Sequence, residues 1–167
     1  MRLETHPEPS VQLDLLMFRP DLQRYTVIEL KCLTALWTGV VEGETYALKK
    51  HSAQDDRAYD VVKDLTRVER FVAGRPGWNG LVVALSNNPA YWLRPQHGRD
   101  TNAQAFRLYE GTTLQGVRAW GPRTGMGTMK RREAPLELRG SYVCSWLDYS
   151  ELVGSRGKFR LLIFAVD

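Results

Sequence analysis

Asp14, Glu29 and Lys31 place two carboxylates and an ammonium inside two short apolar runs, Val11 to Phe18 and Arg24 to Leu33. Both runs are rich in β-branched, aromatic and aliphatic residues, as strands are. Charged groups in the middle of such runs are costly unless they are paired or bound to a cation. Two carboxylates held together resist joint ionisation unless a cation sits between them. Oxygen ligands of this kind suit Mg²⁺ or Mn²⁺, which keep several waters and substrate oxygens in their remaining positions. An ion bound by Asp14 and Glu29, with the backbone carbonyl of Leu30 as a further candidate ligand, would lower the pKa of a bound water and offset charge on a phosphoryl group. Lys31 would orient that water or stabilise developing charge. The set suits metal-assisted phosphodiester hydrolysis. The plainer alternative is a solvated hairpin face, since E-x-K recurs often by chance.

The elements that must position these groups are legible. Arg19-Pro20-Asp21-Leu22-Gln23 separates the two runs with turn formers, so they predict a β-hairpin. In the second run Tyr25, Val27, Glu29 and Lys31 share one face, and Thr26, Ile28, Leu30 and Cys32 the other. A turn centred near Asp21 or Leu22 sets Asp14 opposite a residue close to Glu29, with facing Cβ atoms roughly 4.5–5.5 Å apart. A slip of one residue in register would break this.

With Leu13-Asp14, Glu29-Leu30-Lys31 and fifteen positions from Asp14 to Glu29, the chain resembles the PD-(D/E)xK superfamily of restriction-endonuclease-like nucleases over roughly residues 11 to 86. The resemblance implies an α/β (α+β) domain with a mixed central sheet flanked by helices. It also implies that Asp14 and Glu29 bind divalent metal and that Lys31 supports catalysis. The expected activity is metal-dependent endonucleolytic hydrolysis of DNA, with Mg²⁺ or Mn²⁺ as cofactor and, by analogy, a homodimer. The family usually has Pro where Leu13 stands, and often an N-terminal helix carrying a supporting Glu. Only thirteen residues precede Asp14, and His6-Pro7-Glu8-Pro9 does not easily continue a helix. That helix is therefore expected to be missing, with Glu4 or Glu8 as candidate replacements for its carboxylate.

Downstream, residues 35–50 predict a small β excursion. A helix is expected over 55–73, with Ala58, Val61, Val62, Leu65, Val68 and Val72 as its apolar stripe, Asp55 and Asp56 at its start, and Gly74 as its stop. Its polar faces carry Lys63 and Arg67 one turn apart. The resemblance makes these candidates for a phosphate-facing edge, beside the ordinary reading of surface ion pairs. Gly80 to Ser86 predicts a buried central strand, and Tyr91 and Trp92 are expected to cover a sheet end. A second, shorter helix is expected over 101–109, capped by Asp100. Strands are expected over 114–120, 136–147 and 159–166.

Between Arg118 and Arg132 the basic residues Arg118, Arg123, Lys130, Arg131 and Arg132 occur with no acidic residue among them, around glycines 121, 125 and 127. Such a loop can neutralise DNA phosphates, or simply be solvated. Gly125-Met126-Gly127 lacks the context of a nucleotide-binding loop.

The 167 residues suit one domain, 1–167, and 43% hydrophobic with 25% charged residues argues against extensive disorder. The net charge of +4 and a pI near 9.2 permit polyanion binding. Cys32 and Cys144 form neither a metal motif nor a disulfide framework, and a reducing cytoplasm is the expected setting. No membrane-spanning stretch or signal peptide is expected. His6, His51 and His97 are too scattered for a metal site. Two other readings stay open: a catalytically inactive nucleic-acid-binding or protein-interaction domain of the same fold, and a small enzyme using Asp14 and Glu29 as an acid–base pair, as glycosidases do.

Overall fold

The structure is a computed structural model that describes residues 1–8, 11–51, 53–96 and 99–167, the side chains of residues 2–12 excepted. The side chains of Glu4, His6 and Glu8, and the whole of His97, lie outside the described residues.

The strands are β1 (Arg2–Glu8), β2 (Val11–Arg19), β3 (Arg24–Leu33), β4 (Trp37–Val41) and β5 (Glu44–Leu48). Helix α1 (Gln54–Val72) and strands β6 (Trp78–Ser86) and β7 (Thr113–Arg118) follow. The chain then forms α2 (Met126–Met129), β8 (Leu136–Val143), β9 (Trp146–Glu151) and β10 (Lys158–Val166). Six strands form one mixed sheet in the order β1-β2-β3-β6-β10-β9. Only β3 and β6 are parallel, joined by the crossover that contains α1. The expected hairpin is β2–β3, closed by a 3₁₀ turn at Pro20–Leu22 with Gln23 in the left-handed region. Residues 35–50 form the β4–β5 hairpin, and the N-terminal segment is strand β1 paired to β2.

Helix α1 lies on the sheet face that carries Val27, Val82 and Phe164. Every residue of its expected apolar stripe is buried. It approaches β6 closely at Gly80, where an added Cβ would collide with Val68 Cγ1. Beside it on the same face packs β7–β8, anchored by Tyr142 against Phe164. Glu69, itself buried, ties helix to hairpin. Its carboxylate accepts from the backbone N–H groups of Arg139 and Gly140 and from the Tyr142 hydroxyl, at 2.7–3.1 Å. The opposite sheet face leaves Leu30 and Ile163 exposed.

Three expectations are corrected. The sheet is flanked by one long helix; α2 spans four residues. The helix expected over 101–109 is a single 3₁₀ turn, Gln104–Phe106, preceded by Ala103 and without a side-chain cap. Beyond it Arg107 is extended, because its side chain is pinned to Asp55 and Thr101 while the Leu108 carbonyl accepts the Trp146 indole N–H. The strand expected over 136–147 is two strands in different sheets. At Cys144 the backbone pairs with Thr112 and Gly111, and this lets β9 pass to the edge of the main sheet. Tyr91 and Trp92 are buried, with Trp92 against Trp146 at 5.4 Å between ring centroids. No described helix is long and apolar enough to cross a membrane.

Candidate active site

Pairing of β2 with β3 runs from Arg19↔Arg24 to Leu15↔Ile28 and stops there. Continuing that register sets Asp14 across from Glu29. Instead of another main-chain bond, Asp14 Oδ2 accepts the Leu30 N–H at 2.8 Å. The carboxylate thus takes up a backbone donor that the departing strand no longer satisfies. On β3, Glu29 and Lys31 face α1, and each pairs across the parallel ladder with a small or branched apolar residue of β6, Val82 and Ala84.

Helix α1 completes the cluster. Asp64 receives Lys31 Nζ at 2.5 Å on Oδ2 and Arg67 Nη2 at 3.1 Å on Oδ1. Arg67 Nη2 also meets Glu29 Oε2 at 2.5 Å. Three carboxylates, Asp14, Glu29 and Asp64, are therefore interleaved with two cations, Lys31 and Arg67. With all five ionised, one negative charge stays uncompensated.

Glu29 bears that imbalance. Its carboxyl is pushed up to about 7, first by burial, which the Arg67 guanidinium opposes; the charge of Asp64 and the nearby carboxylate of Asp14 push it up further. The side chain is 1% exposed. Glu29 Oε1 finds no hydrogen-bond partner among the described residues, and neither does Arg67 Nε. A buried acceptor without a donor is costly.

The oxygen donors and the orphaned Oε1 fit a hard divalent cation that keeps most of its waters. Asp14 and Glu29 would hold such an ion, with the Leu30 carbonyl available on the strand edge from which its N–H reaches Asp14. Among the described residues no group of three or more His, Cys, Asp or Glu side chains is placed to hold a metal ion. The protein contribution would thus be small and the water contribution large.

Asp64 was not a candidate from sequence. Its position between Val61, Leu65 and Val68 of the apolar stripe is the one signal that it faces inward. Lys63 and Arg67 do share an edge of α1. Together with Arg70, Arg75 and Arg131 they line a cavity of about 550 Å³ between α1 and the segment before β8, where Glu133 is the one acidic lining residue. Arg132 is engaged elsewhere, with Asp60 at 3.0 Å and Asp56 at 3.6 Å. Arg123 and Lys130 are exposed on either side of α2, outside that cavity. His51 hydrogen-bonds Thr34, and Cys32 and Cys144 are free thiols.

Comparison of the chain with protein-family models, with curated proteins and with solved structures finds no match.

Proposed function

We propose that this chain is a divalent-metal-dependent nuclease of the restriction-endonuclease-like type, hydrolysing DNA phosphodiester bonds. The observation that carries the reading is the placement of Asp14 beside a buried Glu29 whose Oε1 has no donor, with Lys31 on the same sheet face. Asp14 and Glu29 would hold Mg²⁺ or Mn²⁺, and such an ion would supply an activated water and charge neutralisation at the phosphoryl group. Lys31, held by Asp64 at 2.5 Å, would orient the attacking water or stabilise developing charge with its ammonium. Burial of Glu29 keeps bulk water from competing for its carboxylate. Lys63, Arg70 and Arg131 line the approach and neutralise backbone phosphates without reading bases.

Cleavage of supercoiled plasmid and of single-stranded DNA with Mg²⁺ or Mn²⁺ tests this, alongside a chelator control and Lys31→Ala. The expected result is metal-dependent cutting that is lost in Lys31→Ala. Absence of cutting by folded protein with either metal overturns it.

One observation favours a second reading. The pairs Lys31–Asp64 and Arg67–Glu29 neutralise most of the cluster without any metal, as a catalytically inactive nucleic-acid-binding domain of the same fold would require. DNA binding with no cutting in the same assay selects that reading.

A further inference from the structure

Arg67 belongs to two sites at once. One end of its guanidinium is held by Glu29 and Asp64, while the side chain, 40% exposed, lines the basic cavity that also contains Lys63, Arg70 and Arg131. Its Nε is buried without an acceptor, so the pairing leaves part of its donor capacity unused. Lys63 and Arg70 flank it on α1, one turn before and one turn after. Among the described residues neither they nor Arg131 has an ion-pair partner.

From this we infer that Arg67 is a displaceable counter-ion that couples cation binding to DNA binding. Without a divalent ion it neutralises Glu29. A cation held by Asp14 and Glu29 takes over that neutralisation and repels the guanidinium, which turns about its flexible stem into the basic cavity. There it adds a bidentate donor to the phosphate-binding edge. Coupling of this kind is reciprocal: DNA phosphate that engages Arg67 also uncovers Glu29 for the cation. The inference rests on the metal-binding reading of Asp14 and Glu29, and assigns to Arg67 a role separate from the chemistry.

The test is binding rather than turnover. Calcium, an oxygen-seeking divalent cation, is titrated into the whole protein by calorimetry. Binding of a short fluorescein-labelled DNA duplex is then followed by anisotropy with Ca²⁺ and with chelator. Wild-type protein is expected to bind the duplex about 5-fold or more tightly with Ca²⁺. Arg67→Met is expected to bind Ca²⁺ at least as tightly as wild type, yet to show the same DNA affinity with and without it. Persistence of the enhancement in Arg67→Met means that the ion bridges protein and phosphate directly, and overturns the inference. Ca²⁺ binding by wild type with no change in DNA affinity overturns it too, leaving the metal site standing. No Ca²⁺ binding by wild type or by Arg67→Met removes the metal-binding reading itself. The double variant Lys63→Gln/Arg70→Gln, which keeps Arg67 and its pairs, guards against a misfolded Arg67→Met. It is expected to weaken DNA binding equally in both conditions and to preserve their ratio; loss of the ratio there overturns the role given to Arg67.

Discussion

The Glu29 carboxylate and the Arg67 guanidinium meet at 2.5 Å across the boundary between core and surface, with Glu29 1% exposed and the Arg67 side chain 40% exposed. A surface cation thus partly compensates a buried acid, and the compensation is incomplete, since the Glu29 carboxyl is still pushed up to about 7. The cluster therefore carries a cost in its ionised form that a third positive charge would relieve. This makes the pair informative about both stability and binding.

The folded-state value for Glu29 lies above the ordinary 4.5, so the folded protein binds the proton more tightly than the unfolded chain does. Stability from this group is fully present below about pH 4.5 and is lost as pH rises through about 7. The loss amounts to about 3 kcal/mol. Glu29→Gln removes the titration. Urea unfolding at pH 4.5, 6 and 8 is expected to show wild type losing stability relative to Glu29→Gln across this window. A constant difference between the two proteins would mean that Glu29 is ionised throughout.

Glu69 gives a contrasting buried acid, because its carboxylate is fully answered by two backbone N–H groups and the Tyr142 hydroxyl. Glu69→Ala leaves three donors without an acceptor where α1 meets β8, and is expected to cost about 3 kcal/mol in denaturant unfolding. Tyr142→Phe removes one donor and keeps the other two satisfied, so it should cost about 1–2 kcal/mol. Equal losses from the two variants would count against the clamp.

At Gly80 the backbone of β6 passes so close beneath α1 that a methyl group would overlap Val68 Cγ1. Gly80→Ala is expected to destabilise by about 1–3 kcal/mol through overpacking. The second substitution Val68→Ala should then cost less in the Gly80→Ala background than alone, because the new methyl fills part of the space. Strict additivity in thermal unfolding would place the strain elsewhere.

The half of the site carried by β2 and β3 was legible because it depends on alternation and a short turn. Period-2 patterning put Glu29 and Lys31 on one face, and Pro20-Asp21 fixed a register that brings Asp14 to Glu29. The stripe of α1 was legible for the same reason at period 3.6. What escaped depended on contacts distant in sequence. Asp64 lies within the apolar stripe but has no visible partner until β3 is laid beneath it, and Arg67 reads as a surface cation until Glu29 lies within its reach. Residues 101–109 have helical spacing in Ala103, Phe106 and Arg107, yet Arg107 is drawn to Asp55 and the chain straightens. Near Cys144 the run 142–147 is apolar except for Ser145, which is the one mark of where one sheet hands over to another.

Asp64 offers the sharpest test of how the proposed chemistry is organised, because it touches Lys31 and Arg67 and is not assigned to the metal. If Lys31 assists the attacking water, Asp64 acts only by holding its ammonium in place, which makes it a positioning residue. Lys31→Ala should then lower kcat about 10²–10⁴-fold, and Asp64→Asn about 10–100-fold, with divalent-ion affinity measured by calorimetry little changed. In the Lys31→Ala background, adding Asp64→Asn should cost almost nothing further, since the group that Asp64 positions is gone. Full additivity of the two losses would show that Asp64 contributes through a route other than Lys31. A parallel fall in divalent-ion affinity would move Asp64 into the metal's own ligand set.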